Sequence, residues 1–321
     1  MISVVIPSFQ RRDSVLGLLA SVYRQRDIEL EVIVVDDNSS DGTVASIRHR
    51  FPQTRVLCNH VNCGPCVSRN RGIREARGDI IVGLDSDVTL PDADVLARVE
   101  FVFSRSPGKF GVAFRVIDSD GMRDDGPRWW HPVPMEHFAA RQFETNYFSG
   151  TAYAFRREEL IEVGLFPEAI FQYFEEVEVA YRFLDSGGVM LYVPELAVLH
   201  NPGARSGWSD HRFFHNPRSQ VLLVVACYPA LRGFLFLAPR LVWSFLRAVI
   251  GGRASLFAKG LVSGFIAIPA RMRERKPLRR TTWRRMSALG KEATLRRQVI
   301  PMEGAKTKIR GMSQSKQLPS L

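Results

Sequence analysis

The sequence predicts an α/β fold on a mostly parallel, Rossmann-like sheet, followed by a C-terminal amphipathic helical region that associates with a membrane. Three observations carry this reading. Short apolar runs alternate with helix-period segments from Ile2 to Val88, two of those runs end in acidic residues, and after Val221 long apolar stretches are punctuated by arginines. Such alternation gives parallel strands joined by right-handed crossovers.

Ser3 to Ile6 reads as a buried strand closed by Pro7, and Ser14 to Gln25 as a helix with Val15, Leu18, Leu19, Val22 and Tyr23 on one face and Asp13 as its cap. Glu31 to Val35 is the next strand, ending in Asp36-Asp37. The stretch Asn38-Ser39-Ser40-Asp41-Gly42-Thr43 reads as a turn and helix start, with Asp36 and Asp41 as cap and turn residues. Thr54 to Leu57 is a third strand, and a helix from the Asn62 to Pro65 loop runs to about Ala76, with Gly78 ending it. The first turn, Pro7-Ser8-Phe9-Gln10-Arg11, lacks the Gly-x-Gly-x-x-Gly fingerprint, which disfavours a dinucleotide dehydrogenase.

The chain then reaches Asp79-Ile80-Ile81-Val82-Gly83-Leu84-Asp85-Ser86-Asp87-Val88. Ile80 to Leu84 has the composition of a fully buried strand. Its end places two carboxylates where open α/β sheets bind ligands, and two hard oxygen donors suit Mg²⁺ or Mn²⁺ bridging to a diphosphate.

Bulk properties narrow the field. The 321 residues are 45% hydrophobic, ordinary for a globular core, and carry a formal net charge of +11. The charge is concentrated: Arg271 to Leu321 holds 15 Lys+Arg against 3 Asp+Glu. The basic character therefore belongs to the tail and fits an anionic lipid surface. Nucleic-acid readers interleave aromatics with basic residues, whereas this tail has only Trp283, which disfavours nucleic acid as a partner. Of the four cysteines, Cys63 and Cys66 have redox or zinc spacing, but no second Cys or His pair at ligand spacing follows, and so few cysteines fit a reducing compartment. The start Met1-Ile2-Ser3-Val4-Val5-Ile6 enters a strand without a basic n-region or cleavage site, which predicts a cytoplasmic N-terminal part.

Five segments in series carry a resemblance. They are Val4 to Arg11, Val34 to Thr43, Asn62-x-Gly64-x-x-x-Ser68-Arg69-Asn70-x-Gly72-Ile73, Ala76-x-Gly78-Asp79, and Asp85-Ser86-Asp87. In order and spacing the chain resembles the family 2 glycosyltransferases with the GT-A fold, including rhamnosyltransferase-like and other cell-envelope members. The likeness covers at least Ile2 to Pro202. It explains Cys63 and Cys66 as variable positions of the Asn-x-Gly stretch. Gln10, where relatives often have Asn, is a mild departure that puts its side-chain contact in question.

The resemblance implies a nucleotide-sugar donor held by Pro7, Ser8, Phe9 and Asp37, with Arg69 near the same pocket. It places Asp85 and Ser86 by the ribose and metal, Asp87 on the metal, and His200 within reach of it. Tyr147 to Arg157 matches the acceptor-side segment, in which Gly150 would let the backbone approach the donor sugar. Phe174 to Arg182 matches the acidic pair that supplies the catalytic base, with Glu176 first and Glu175 second. Glu178 reads as structural, since acids at a helix start favour its dipole.

Between these, Asp92 to Phe103 reads as a surface helix, Gly111 to Ile117 as a strand, and Asp118 to Thr145 as a long irregular stretch. Its Trp129-Trp130 pair either stacks on a sugar, dips into a membrane interface or packs beneath the loop. Met190 to Val193 is a strand, and Val198-Leu199-His200 ends another. The Gln-x-x-Arg-Trp motif of processive relatives is missing, which points to addition of one or a few sugars. Val221 to Ile250 contains Arg232, Arg240 and Arg247 near two-turn spacing, so amphipathic helices lying in the membrane interface are expected rather than a span. Leu256 to Ile268 continues that pattern, Arg271 to Arg285 is polybasic, and the residues after Ile300 are expected to be disordered.

The expected organisation is a GT-A domain over 1–215, with a donor half 1–117 and an acceptor half 118–215, a helical membrane-associated region over 216–300, and a basic tail 301–321. The expected function is inverting, metal-dependent transfer of a sugar from a nucleotide-diphosphate-sugar to a lipid-linked or saccharide acceptor of the cell envelope, at the cytoplasmic face of the membrane. The rivals are a nucleotidyltransferase with a similar acid and metal site, and a non-catalytic membrane- or nucleic-acid-binding module.

Overall fold

The computed structural model describes residues 1–201, 209–291 and 300–302. Pro202 and Gly203, and the tail from residue 303 onward, lie outside the described residues. The apolar run at the N-terminus forms β1 (Ile2–Ser8), buried along its whole length. It is followed by α1 (Arg12–Val22), β2 (Leu30–Asp36), α2 (Thr43–Arg50), β3 (Arg55–Cys58), α3 (Pro65–Glu75) and β4 (Ile80–Leu84). β1 pairs in parallel with β2 and β4, and β2 with β3. This is the predicted parallel half.

The second half makes the sheet mixed. β5 (Val88–Thr89), α4 (Val95–Arg105), β6 (Phe110–Asp118), α5 (Met135–Phe138), β7 (Phe143–Glu144), β8 (Ala152–Arg156), α6 (Arg157–Glu162), α7 (Glu175–Asp185) and β9 (Val189–His200) follow. The strand order is β3-β2-β1-β4-β8-β6-β9-β5, with β7 on β9. β8 runs antiparallel to both β4 and β6, and β9 lies parallel to β6. Strand ends from both halves thereby meet at one edge: β4 delivers Asp85, and β9 delivers His200 opposite Val88.

Several local expectations change. Asp13 is not the cap of α1; it lies inside the first turn, exposed and paired with its neighbour Arg12. Gly78 does not end α3, which stops at Glu75 with Ala76 extended. Gly78 instead permits close approach, since a Cβ there would stand 2.7 Å from the Ser3 backbone nitrogen. The two strands expected between Met190 and His200 are one, β9, whose pairing with β6 shifts register between Phe114 and Arg115, as a β-bulge does. Asp36 and Asp41 are turn residues as expected, accepting hydrogen bonds from the backbone N–H groups of Ser39 and Thr43. The side chain of Gln10 finds a partner in the same turn, donating to Ser40 Oγ at 2.9 Å.

The C-terminal helices are α8 (Asp210–Cys227), α9 (Ala230–Ile250), α10 (Ala254–Ile266), α11 (Ile268–Arg273) and α12 (Arg280–Ala288). α8 runs unbroken across position 215/216 and buries Val221, Leu222, Leu223 and Ala226. α9 is built the other way round. It buries only Gly233, Ser244 and Ala248, and leaves Leu231, Phe234, Leu235, Val242, Trp243 and Phe245 exposed. It is the one described helix long and apolar enough to cross a membrane. The polybasic segment is partly consumed by the fold. Arg271 is buried and pairs with Glu178 and Glu274, Arg275 donates to the carbonyls of Val225 and Tyr228, and Arg285 pairs with Glu144. Glu178 is thus structural, as its position on α7 implies.

Candidate active site

Two adjoining cavities open at the carboxyl ends of β1, β2 and β4. One is lined by Pro7, Ser8, Phe9, Asp37, Asn62, Gly64, Ser86 and Tyr173, among others. Arg11, Arg69, Asp85 and Asp87 line both it and its neighbour. Asp37 anchors the first cavity. Its carboxylate accepts from Asn59 Nδ2 at 2.7 Å, from the Cys63 backbone N–H at 3.0 Å and from the Gly64 N–H at 2.8 Å. This is the work of the Cys63 to Cys66 segment: its backbone holds Asp37, and burial pushes the Cys66 thiol far above its ordinary value, against any nucleophilic use.

The second cavity, of about 270 Å³, brings Asp85, Asp87, His200, Gly150, Glu175 and Glu176 to one wall system. Arg69 is its keystone: buried, it donates to Asp85 Oδ1 at 2.8 Å and to Glu175 Oε1 at 3.1 Å. Gly150 serves that arginine, since a Cβ there would stand 3.0 Å from Arg69 Nη2. The two acids of α7 therefore differ. Both line the cavity and each leaves its Oε2 unpartnered, but Glu175 is held by a cation through Oε1, whereas Glu176 has no ion pair among the described residues. Burial, and then the adjacent Glu175 carboxylate, push Glu176 well above the usual carboxylate range. The turn that aims them is strained: Tyr173 at φ 70° and Phe174 at φ 68° are left-handed without being glycine.

His200 lies across from these acids. Its Nδ1 sits 2.7 Å from Asp125 Oδ2, and its Nε2 lies 3.7 Å from Asp87 Oδ1. An Nδ1–H donated to Asp125 leaves Nε2 as the acceptor, with Arg128 Nη2 at 3.4 Å and the Asp87 carboxylate beyond it. Burial alone would lift Asp125, but the hydrogen bond from His200 and the charge of Arg128 outweigh it and hold the carboxyl below its ordinary value. Asp87 is pushed up by burial and by Asp85, against the pull of His200 and of Arg11, whose Nη1 is 3.2 Å from Asp87 Oδ2.

Two clustered carboxylates, one raised by the other, are a donor set that a hard divalent cation suits. Among the described residues no three such side chains already form a closed ligand set. The side chains present that fit such a cation are Asp85 and Asp87.

The model of the family described as glycosyl transferase family 2 matches residues 3–164, half of the chain. The chain belongs to glycosyltransferase family 2. It is 40% identical over 87 residues to an uncharacterised glycosyltransferase of Haemophilus influenzae, covering 27% of this chain and 29% of that protein. It is 24% identical over 240 residues to the N-acetylglucosaminyl-diphospho-decaprenol L-rhamnosyltransferase of Mycobacterium tuberculosis, covering 64% of this chain and 78% of the relative. Among solved structures it resembles S. aureus TarS, with 18% identity and a TM-score of 0.56 over 84% of this chain and 82% of that one. It also resembles the Pyrobaculum calidifontis mannosyltransferase PcManGT, solved with GDP-Man and Mn²⁺, with 18% identity and a TM-score of 0.53 over 97% and 84%. These likenesses establish the GT-A fold.

Some lining residues of this family 2 site escaped sequence reading. Arg128 and Trp130 come from the long irregular stretch and line the second cavity. Trp129 instead packs on Phe143 and Tyr192 and donates its indole N–H to the Val133 carbonyl. The two tryptophans thus split the alternatives expected for the pair: one packs beneath the loop, the other opens to the cavity. Arg212 and Asn216 arrive from α8, which straddles the boundary expected at 215/216 between the GT-A domain and the membrane-associated region. Asp125 has no local signal, because its partner His200 lies 75 positions away.

Proposed function

We propose that the protein is an inverting, metal-dependent and non-processive glycosyltransferase. It moves one sugar from a nucleotide-diphosphate-sugar to a lipid-linked cell-envelope acceptor at the cytoplasmic face of a membrane. The observation that carries the reading is the asymmetry of the α7 acids at the cavity: Arg69 pairs with Glu175 Oε1, while Glu176 has no ion pair among the described residues. The mycobacterial relative's name supports a lipid-diphosphate acceptor, and the exposed apolar face of α9 supports a membrane location.

In this reading Pro7, Ser8, Phe9 and Asp37 hold the base and ribose, and Ser86 closes the pocket floor. Glu176 takes the proton from the acceptor hydroxyl, whose oxygen bonds to the anomeric carbon as the bond to the nucleoside diphosphate breaks on the opposite face. One base suffices, and the configuration inverts. Asp85, Asp87 and His200 would hold a Mg²⁺ or Mn²⁺ ion, which supplies charge neutralisation for the departing diphosphate. Arg11, beside Asp87, adds positive charge on the same side.

The test is calorimetry with UDP-, GDP- and dTDP-sugars, with and without Mn²⁺ or Mg²⁺. Metal-dependent binding of one base class is expected. Asp87→Ala should remove the metal dependence and the transfer together; transfer that survives in that variant sinks the metal assignment.

A further inference from the structure

α8 faces three cavities within two turns. Ser209 and His211 line the donor cavity, Arg212 and Asn216 line the catalytic cavity, and Asp210 and Phe213 line a third pocket. The third pocket, of about 600 Å³, is walled by Phe213, Trp243, Leu246 and Ile250, with Arg247 and Arg253 at its polar side. Arg212 and Phe213 are neighbours in sequence, so one helical step of about 100° separates the wall of the catalytic cavity from the wall of the apolar pocket.

Positive charge connects the two. Arg128 and Arg212 line the catalytic cavity and Arg247 the apolar pocket. Arg212 stacks on the Tyr173 ring at 5.5 Å, and Arg247 stacks on Trp243 at 4.8 Å. Burial first, and then the charges of Arg128 and Arg247, lower the proton affinity of Arg212. Arg128 also meets a carboxylate, Asp125 at 3.6 Å, and each guanidinium, with its five N–H donors, can add phosphate oxygens to the contacts it has. Arg253 is engaged at the rim by Asp210 at 2.5 Å.

We propose that this pocket and the Arg128, Arg212 and Arg247 guanidiniums form the acceptor subsite for a lipid-linked diphosphate. The apolar chain lies against Phe213, Trp243, Leu246 and Ile250. The diphosphate lies over the arginines, and the sugar beyond it presents its hydroxyl to Glu176. A ligand with this order of parts, apolar, doubly anionic and then polar, matches the order of the walls. A free saccharide would use only the last of them. The inference rests on the glycosyltransferase reading above and names the chemistry of its acceptor.

The experiment uses the full chain and soluble probes: farnesyl diphosphate, inorganic diphosphate and farnesol, followed by calorimetry and by tryptophan fluorescence. Farnesyl diphosphate should bind at least about tenfold more tightly than either half of it, since chain and charge each contribute. Leu246→Asp and Ile250→Asp, both at exposed positions, should each abolish that advantage, with folding checked by circular dichroism. Arg247→Gln should weaken farnesyl diphosphate and leave farnesol unchanged. Leu231→Asp, far along the same helix, should leave farnesyl diphosphate binding intact. The nucleoside diphosphate found in the donor screen should not displace the probe. Equal binding of farnesyl and inorganic diphosphate, displacement by the nucleotide, or equal loss in Leu231→Asp overturns the subsite. Donor binding without farnesyl diphosphate binding defeats this inference alone; loss of both defeats the glycosyltransferase reading with it.

Discussion

Burial and the Glu175 carboxylate hold the Glu176 proton more tightly than water would. This suits a general base, because a raised pKa lessens the uphill transfer from a sugar hydroxyl. For stability the sign is opposite. A group whose folded pKa lies above its unfolded value adds stability at low pH, and that contribution is lost as pH rises through the folded value. Glu176→Gln removes a charge that is costly at neutral pH. The variant is therefore expected to melt above wild type at about pH 8, with the gap closing toward about pH 4, where both forms are neutral. Its transfer rate should fall by about 10²–10⁴-fold with donor binding kept. If Glu175→Gln does this instead, the base has been assigned to the wrong acid. Arg69→Ala strands Glu175 in a buried setting and should cost about 3–5 kcal/mol in a denaturant titration, with Arg69→Lys an incomplete rescue because one ammonium does not reproduce the fork. Arg69 is legible in the motif series. Its bond to Glu175, 106 positions away, is not, because no local pattern encodes a contact made by sheet closure.

The packing of α3 on β1 shows how tightly the donor half is built. A Cβ on Gly72 would stand 2.4 Å from Val5 Cγ1 and 3.2 Å from Val35 Cγ2. Two effects compete in Gly72→Ala: helix propensity favours alanine by about 1 kcal/mol, while overpacking costs about 1–3 kcal/mol. At 2.4 Å, under any normal carbon contact, the clash wins. The expected outcome is a lower urea midpoint at unchanged slope; a higher midpoint would show that β1 yields easily. At this scale the first four strands and their helices are legible, because buried parallel strands read as unbroken apolar runs and the helices keep one apolar face. The elements that were missed have other causes. β9 reads as two strands because Pro194 and Glu195 interrupt its apolar run at the bulge. Asp118 to Thr145 has no period because its side chains serve the cavity and an aromatic cluster rather than one face of an element. Arg271 looks like a lipid contact by composition, and only the fold reveals Glu178 waiting for it.

At the scale of the whole molecule, α9 inverts the usual rule for a packed helix. It turns Gly233, Ser244 and Ala248 inward and large apolar side chains outward. Soluble surfaces rarely keep so long an apolar stripe, and an interfacial helix needs one. The sequence also offers electrostatics as a reason to bind a membrane, since the tail is strongly basic. The structure changes the balance between the two, because Arg271, Arg275 and Arg285 are spent on Glu178, backbone carbonyls and Glu144. Apolar burial should then dominate vesicle binding. Leu235 and Phe245 are exposed and lie outside the proposed acceptor pocket, so a Leu235→Asp/Phe245→Asp variant tests the face alone. It is expected to lose at least about tenfold in partitioning to vesicles containing phosphatidylglycerol, while added salt weakens wild-type binding only modestly. The measurement is co-sedimentation across a salt series. If salt releases the wild type fully and the variant sediments as wild type does, the basic tail does the anchoring. The apolar face of α9 would then need another occupant.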